Sequence, residues 1–145
     1  MKNKENLKIT GEVNIKVTNT KTKETKSLII PNLVVETGRD WIASVIGGTS
    51  DTMTHIATGS GTTAHTLSDT TLESEIFRAT ASSNSLDNTV EYAASYNVGE
   101  TTGSIREAGI FNASSGGIML CRTTFGLITI GSSDSMSINW TITIS

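Results

Sequence analysis

The chain has 145 residues, of which 24 are Thr and 18 are Ser; hydrophobic residues make up 36%, charged residues 17%, and there is one proline. This balance is too apolar and too weakly charged for a disordered chain, and its Ser/Thr excess disfavours long helices while fitting many short strands. The formal charge of −3 hides an asymmetry: residues 1–26 hold seven Lys against three Glu, a net +4, whereas residues 27–145 hold four Arg against eleven acids, a net −7.

In chain order, residues 1–6 form a polar N-terminal arm, and residues 7–145 read as one β-sandwich domain. Leu7, Ile9, Val13, Ile15 and Val17 alternate with polar residues, the period of a half-buried strand. Thr18 to Thr25 is a lysine-rich turn, and Ser27-Leu28-Ile29-Ile30 starts the return strand of a hairpin. Pro31 ends that strand or places it at an edge. Thr37 to Ile46 is the one convincing helix, with Thr37 as its cap and Asp40 three residues on. Trp41, Ile42, Val45 and Ile46 line one apolar face, so the helix is expected to plug an open end of the β structure, and Gly47-Gly48 to end it.

His55 to Thr63 reads as a short strand running into a Gly-rich loop, with a helical turn over Asp69 to Glu75. Ile76-Phe77-Arg78-Ala79 begins another strand, and Asn84 to Asn88 is a turn. Val90, Tyr92, Ala94, Tyr96 and Val98 alternate without a break. Ile105 to Phe111 and Ile118 to Phe125 flank a Ser/Gly turn, and the second run continues past a bulge or bend at Gly126 through Leu127-Ile128-Thr129-Ile130. Met136, Ile138, Trp140, Ile142 and Ile144 alternate in the last strand. The expected fold is therefore mainly β: a single-domain antiparallel β-sandwich or jelly roll with one short helix. Trp41, Ile42, Val45, Tyr92, Tyr96, Ile138, Trp140 and Ile142 are its expected core.

No set of residues in the sequence carries the spacing of a catalytic or metal site. Cys121 is the only cysteine, which excludes an internal disulfide, and it lies in an apolar run as a small buried hydrophobe. His55 and His65 have no acidic pair spaced to complete a metal site. Gly59-Ser60-Gly61-Thr62-Thr63 superficially suggests a phosphate cradle but lacks the Walker lysine and a following long helix. No Gly-x-Ser-x-Gly elbow is present. Glu73, Glu75, Asp87 and Glu91 read as solvated. Arg106-Glu107 sits inside an apolar strand, where a buried or interface ion pair explains it without catalysis. Neither an enzyme nor a cofactor is expected. No apolar segment follows the basic N-terminus as in a signal peptide, and none approaches the ~20 residues of a membrane helix.

Three segments carry a resemblance. They are Asn32-Leu33-Val34-Val35-Glu36-Thr37-Gly38 leading into Trp41-Ile42, then Ile56 to Ala64 followed by Asp69 to Glu75, and finally Ile105 to Asn112, Met119 to Thr123 and Ile138 to Ile142. In this order the chain resembles, over about residues 32–144, small virion structural proteins of tailed bacteriophages, described as head decoration (cement), tail-fibre-like or collar-like proteins. The resemblance implies assembly rather than turnover and carries no catalytic residues. It implies a place in the virion and the major capsid protein or another virion protein as partner, with a tail-fibre, neck or collar appendage as the alternative and a carbohydrate-binding module as a weaker one. Lys2, Lys4 and Lys8 would then attach the arm to an acidic neighbour. The arm lacks the Arg and aromatic residues that usually grip nucleic acid, so nucleic acid is not the expected partner. Ser/Thr-rich faces with few guarding charges further suggest a homo-oligomer, most simply a trimer, with twofold pairing the other common arrangement.

Overall fold

The computed structural model describes residues 6–49 and 51–145. Nine strands and one helix follow in the order β1 (Ile9–Asn19), β2 (Thr25–Pro31), β3 (Leu33–Val34), α1 (Glu36–Ile46), β4 (His55–Gly59), β5 (Glu75–Leu86), β6 (Thr89–Tyr96), β7 (Gly103–Phe111), β8 (Met119–Ile130) and β9 (Asp134–Ile144). All neighbours pair antiparallel, in one sheet of order β2-β1-β9-β6-β5-β4-β7-β8-β3.

The expected sandwich or jelly roll gives way to a sheet nearly closed into a barrel. Its first and last strands, β2 and β3, are consecutive in the chain and separated by Asn32 alone. The two Cα–Cα steps from Pro31 to Leu33 span no more than about 7 Å, so the two edges of the sheet must meet there. Closure is sealed where Thr123 Oγ1 on β8 donates to the carbonyl of Pro31 (2.8 Å). At the same corner Asn32 Oδ1 fills the space over Gly11, where any Cβ would collide with it, and accepts from Trp140 Nε1 (2.9 Å). β5 turns the other corner: residues 75–80 pair with β4, and residues 81–86 pair with β6.

Val13, Ile15, Tyr92, Tyr96, Ile138, Trp140 and Ile142 alternate into the barrel and are buried with Ile56, Ile105, Ile110 and Leu120. This places five expected core residues where the alternation put them. Trp41 and Ile42 are half-buried against the same core. Val45 is a correction: it is 45% exposed, and Ile46 is 82% exposed. The reason lies in how α1 is seated. Val35 N–H bonds to Leu120 O, Gly38 is buried against the Leu120 backbone, and Thr37 Oγ1 donates to Met119 O. These contacts fix the first turns on β8 and leave the last turn beyond the barrel. Thr37 is accordingly inside the helix rather than capping it; the cap position is Val35, which makes no side-chain cap bond.

The remaining elements differ less. Pro31 ends β2, which is an edge strand. The two extra residues of β8 opposite Ile105–Glu107 make the expected irregularity at Gly126. Residues 69–74 are irregular rather than a helical turn, and β5 runs on to Leu86, which shortens the expected turn to Asp87–Asn88 with Asp87 at positive φ (51°). Ile144 at the strand end is 40% exposed.

Candidate functional site

Strand β4, the second half of β7 (Glu107–Phe111) and the first half of β8 (Met119–Thr123) are buried on both faces. Their outer face carries a second apolar cluster of Val35, Ala57, Leu72, Phe111 and Met119, covered by residues 60–74 and the start of α1. The irregularity between Ile105 and Glu107 shifts the alternation of β7, so Ala108 and Ile110 face the barrel and Glu107 faces this outer layer. Its carboxylate is fully buried. A charge there requires a complete set of partners, because an unpaired buried carboxylate costs several kcal/mol.

The set is complete. Glu107 Oε1 accepts from the N–H groups of Gly61 (3.0 Å) and Ser74 (2.7 Å); Oε2 accepts from the Glu73 N–H (3.0 Å) and from Nε (3.1 Å) and Nη2 (2.9 Å) of Arg122. Arg122, on β8, also donates from Nη1 to Asp69 Oδ2 (2.7 Å) and from Nη2 to the Thr63 carbonyl (3.0 Å). Burial works to raise the Asp69 carboxyl, but the Thr66 N–H and Arg122 outweigh it and hold the group below its ordinary range. Glu73 is held low first by the Thr63 N–H that it accepts at 2.7 Å. The guanidinium is itself held protonated: burial opposes its charge, but Asp69 and Glu107 more than compensate.

The Gly-rich loop therefore is a cradle for an anion, and the anion is the chain's own. A Cβ on Gly61 would lie 2.5 Å from Glu107 Oε1, so only glycine lets the backbone approach this closely. The expected buried ion pair exists, with Arg122 rather than the adjacent Arg106 as the cation. The readable signal was a charge inside an apolar run on each of two neighbouring strands, Glu107 in β7 and Arg122 in β8, facing a Gly-x-Gly loop. Chemically the arrangement fixes the 60–74 strap onto the sheet. Each oxygen of Glu107 is occupied by protein donors, which leaves no lone pair aimed at a substrate.

The other candidates are dispersed. His55 Nδ1 bonds Thr54 Oγ1 (2.8 Å), whereas His65 Nδ1 meets the hydroxyl (3.0 Å) and N–H (3.3 Å) of Thr124. Among the described residues no group of three or more His, Cys, Asp or Glu is placed to hold a metal. Glu75 is paired with Arg78 at 2.7 Å, and Arg78 also holds the β7–β8 loop through the carbonyls of Ala113 and Gly116 while lying over the Phe111 ring. Glu73, expected to be solvated, is exposed at the edge of the cluster; Asp87 and Glu91 are exposed. Burial pushes the Cys121 thiol up, the environment of an unreactive cysteine. Tyr92 and Tyr96 are buried, which pushes the Tyr92 hydroxyl up to about 12, and the Tyr96 hydroxyl donates to the Ile56 carbonyl (2.7 Å), so neither ring offers a surface to a sugar. Lys2 and Lys4 lie outside the described residues. Lys8 is exposed, its backbone paired with that of Ser145. Among the described residues no helix is long and apolar enough to cross a membrane.

Among the described residues, nothing forms a second layer over one large surface: the outer face of β2, β1, β9, β6 and the end of β5. Register places Asn14, Asn139 and Ala93 side by side at its centre, Glu12, Thr141 and Glu91 in the row to one side, and Lys16, Ser137 and Ser95 in the row to the other. No family model, curated protein or solved structure matches the chain.

Proposed function

We propose that the chain is a non-enzymatic structural protein of the tailed-bacteriophage virion, a decoration or cement protein that binds neighbouring major-capsid subunits and stabilises their lattice. The observation that carries the non-catalytic part is the closed hydrogen-bond set of Glu107: this fully buried carboxylate is committed to architecture by three backbone N–H groups and Arg122. The broad sheet face around Asn139, poor in charge at its centre, supports an assembly role, because interface cores are depleted of charged residues. The place in the particle rests on the sequence resemblance alone. In this reading the partners are the major capsid protein and further copies of the chain, with Lys2, Lys4 and Lys8 contributing attachment to acidic surfaces.

Quantifying the chain in purified particles tests the proposal. Copies in the hundreds support the shell position. A dozen or fewer would move it to the tail-fibre, neck or collar alternative, and absence from the particle would overturn the reading altogether.

A further inference from the structure

We infer that the uncovered outer face of β1 and β9 is a self-complementary interface, and that two copies of the chain stack on it about a twofold axis running across the strands through Asn14 and Asn139. This builds on the reading that copies of the chain associate, and it specifies the face and the symmetry.

The alternation defines the surface. On β1, Thr10, Glu12, Asn14, Lys16 and Thr18 point away from the core strand positions Val13, Ile15 and Val17; on β9, Ser135, Ser137, Asn139, Thr141 and Thr143 do the same opposite Met136, Ile138, Trp140 and Ile142. Ile29 on β2 lies beside Asn14 and is 60% exposed, a large apolar side chain in the middle row of the face; Leu86, beside Thr89 at the far corner, is 67% exposed.

Charge placement selects the symmetry. A twofold axis along the strands would lay β1 of one copy over β6 of the other and face Glu12 with Glu91, a repulsive pairing. An axis across the strands lays β1 over β1 in the opposite direction and exchanges the rows on either side of Asn14. Glu12 then faces Lys16 of the second copy and Lys16 faces its Glu12, while Thr141 meets Ser137, and Ile29 meets Ile29. Two sheets stacked this way cross at roughly 30°, an offset that the long Glu and Lys side chains can follow. A threefold ring, by contrast, would pair this face with a different surface and leave the complementarity unused.

Two more observations agree. Asn14 carries a buried side-chain oxygen with no hydrogen-bond partner, and on the axis it meets its own symmetry mate, so a turn about χ2 lets two amides bond reciprocally. The five-strand grid covers about 500 Å² in plan on each copy, from the ~4.8 Å strand spacing and ~3.4 Å rise, and two such faces reach the ~1,000 Å² that specific interfaces need.

The test is charge reversal, read by sedimentation velocity on the full chain over about 1–300 μM, the range that resolves micromolar dissociation constants. Wild type is expected to dimerise. E12K and K16E should each weaken the dimer by about 30-fold or more, since each turns both facing pairs repulsive. The double variant E12K/K16E restores opposite charges across the axis and should recover dimerisation. Circular dichroism and thermal melts check that each variant folds, as these exposed positions allow. A monomeric wild type overturns the inference. Self-association that survives K16E places the contact elsewhere and overturns this face, even though copies do associate. Single variants that dissociate without rescue in the double variant overturn the proposed symmetry.

Discussion

The single residue with the most structural consequence is Glu107. Replacing it with Gln keeps the shape but removes the charge that Arg122 and three N–H groups were arranged around. Asp69 remains to Arg122, yet one of the two hydrogen-bonded pairings of the guanidinium is lost and an amide NH₂ is turned toward backbone donors. Breaking a buried pair in this way costs about 3–5 kcal/mol, and a urea melt of Glu107→Gln should show a midpoint lowered accordingly. A change under about 1 kcal/mol would mean that the cluster is far better solvated than its geometry indicates. Trp140→Ala should cost about 3–5 kcal/mol by loss of a fully buried indole. Val45→Ser should stay within about 0.5 kcal/mol, as surface positions do. These last two substitutions contrast what periodicity can and cannot supply. Alternation along β9 fixed the side of Trp140, since a strand has only two faces. The helical stripe of α1 groups Val45 with Trp41 and Ile42, but a stripe does not state how far along the helix its support extends, and here the support ends before the last turn.

Among elements, the strap of residues 60–74 is the one whose hold depends on protonation. Asp69 and Glu73 both have carboxyls held below their ordinary values in the folded chain. A depressed carboxyl contributes stability that is fully present above its unfolded value of about 4 and is lost as pH falls through the lower folded value. The charged groups facing them are Arg122 and Glu107, and Arg122 stays protonated throughout. Stability should therefore be level in these two groups from neutral pH to about 5 and decline below about 4. Asp69→Asn should cost about 1–2 kcal/mol at pH 7, from the weakened bond to Arg122, and should flatten the acid limb of the melting curve. An acid limb of unchanged slope in the variant would show that Asp69 does not latch the strap. This strap was the least legible element in the sequence. It has no apolar period, and its function as a cover depends on backbone N–H groups, which every residue type but proline shares; only Gly59 and Gly61 hinted at a close approach.

At the scale of the whole molecule, the sequence distinguished strands well and their closure poorly. Alternating inward residues fit a sandwich and a barrel equally, because both bury one face of each strand. What decides is the corner at Asn32, where one residue separates the two ends of the strand order, and neither composition nor periodicity encodes that pairing. Closure is also incomplete. β3 pairs only with Arg122 and Cys121, so among the described residues no strand lies beside β8 from Thr124 to Ile130 on that side, and a cleft of about 540 Å³ separates it from β2. Leu28, Leu127 and Ile128 line the cleft, and Lys26 stands at the β2 edge, the kind of charge that keeps such an edge from pairing at random. The opening predicts a specific pattern of amide hydrogen exchange. In β9, flanked by β1 and β6, successive N–H groups are bonded to one neighbour or the other, and they should exchange only on global unfolding. In β2, bonded to β1 alone, every second N–H between Thr25 and Ile30 faces the cleft and should exchange orders of magnitude faster than its neighbours. Uniform protection along β2 would mean that it pairs with β8 in solution and that the barrel is shut. Alternating protection would establish the seam as a standing feature of the fold, held open while the Asn32 corner holds the two edges together.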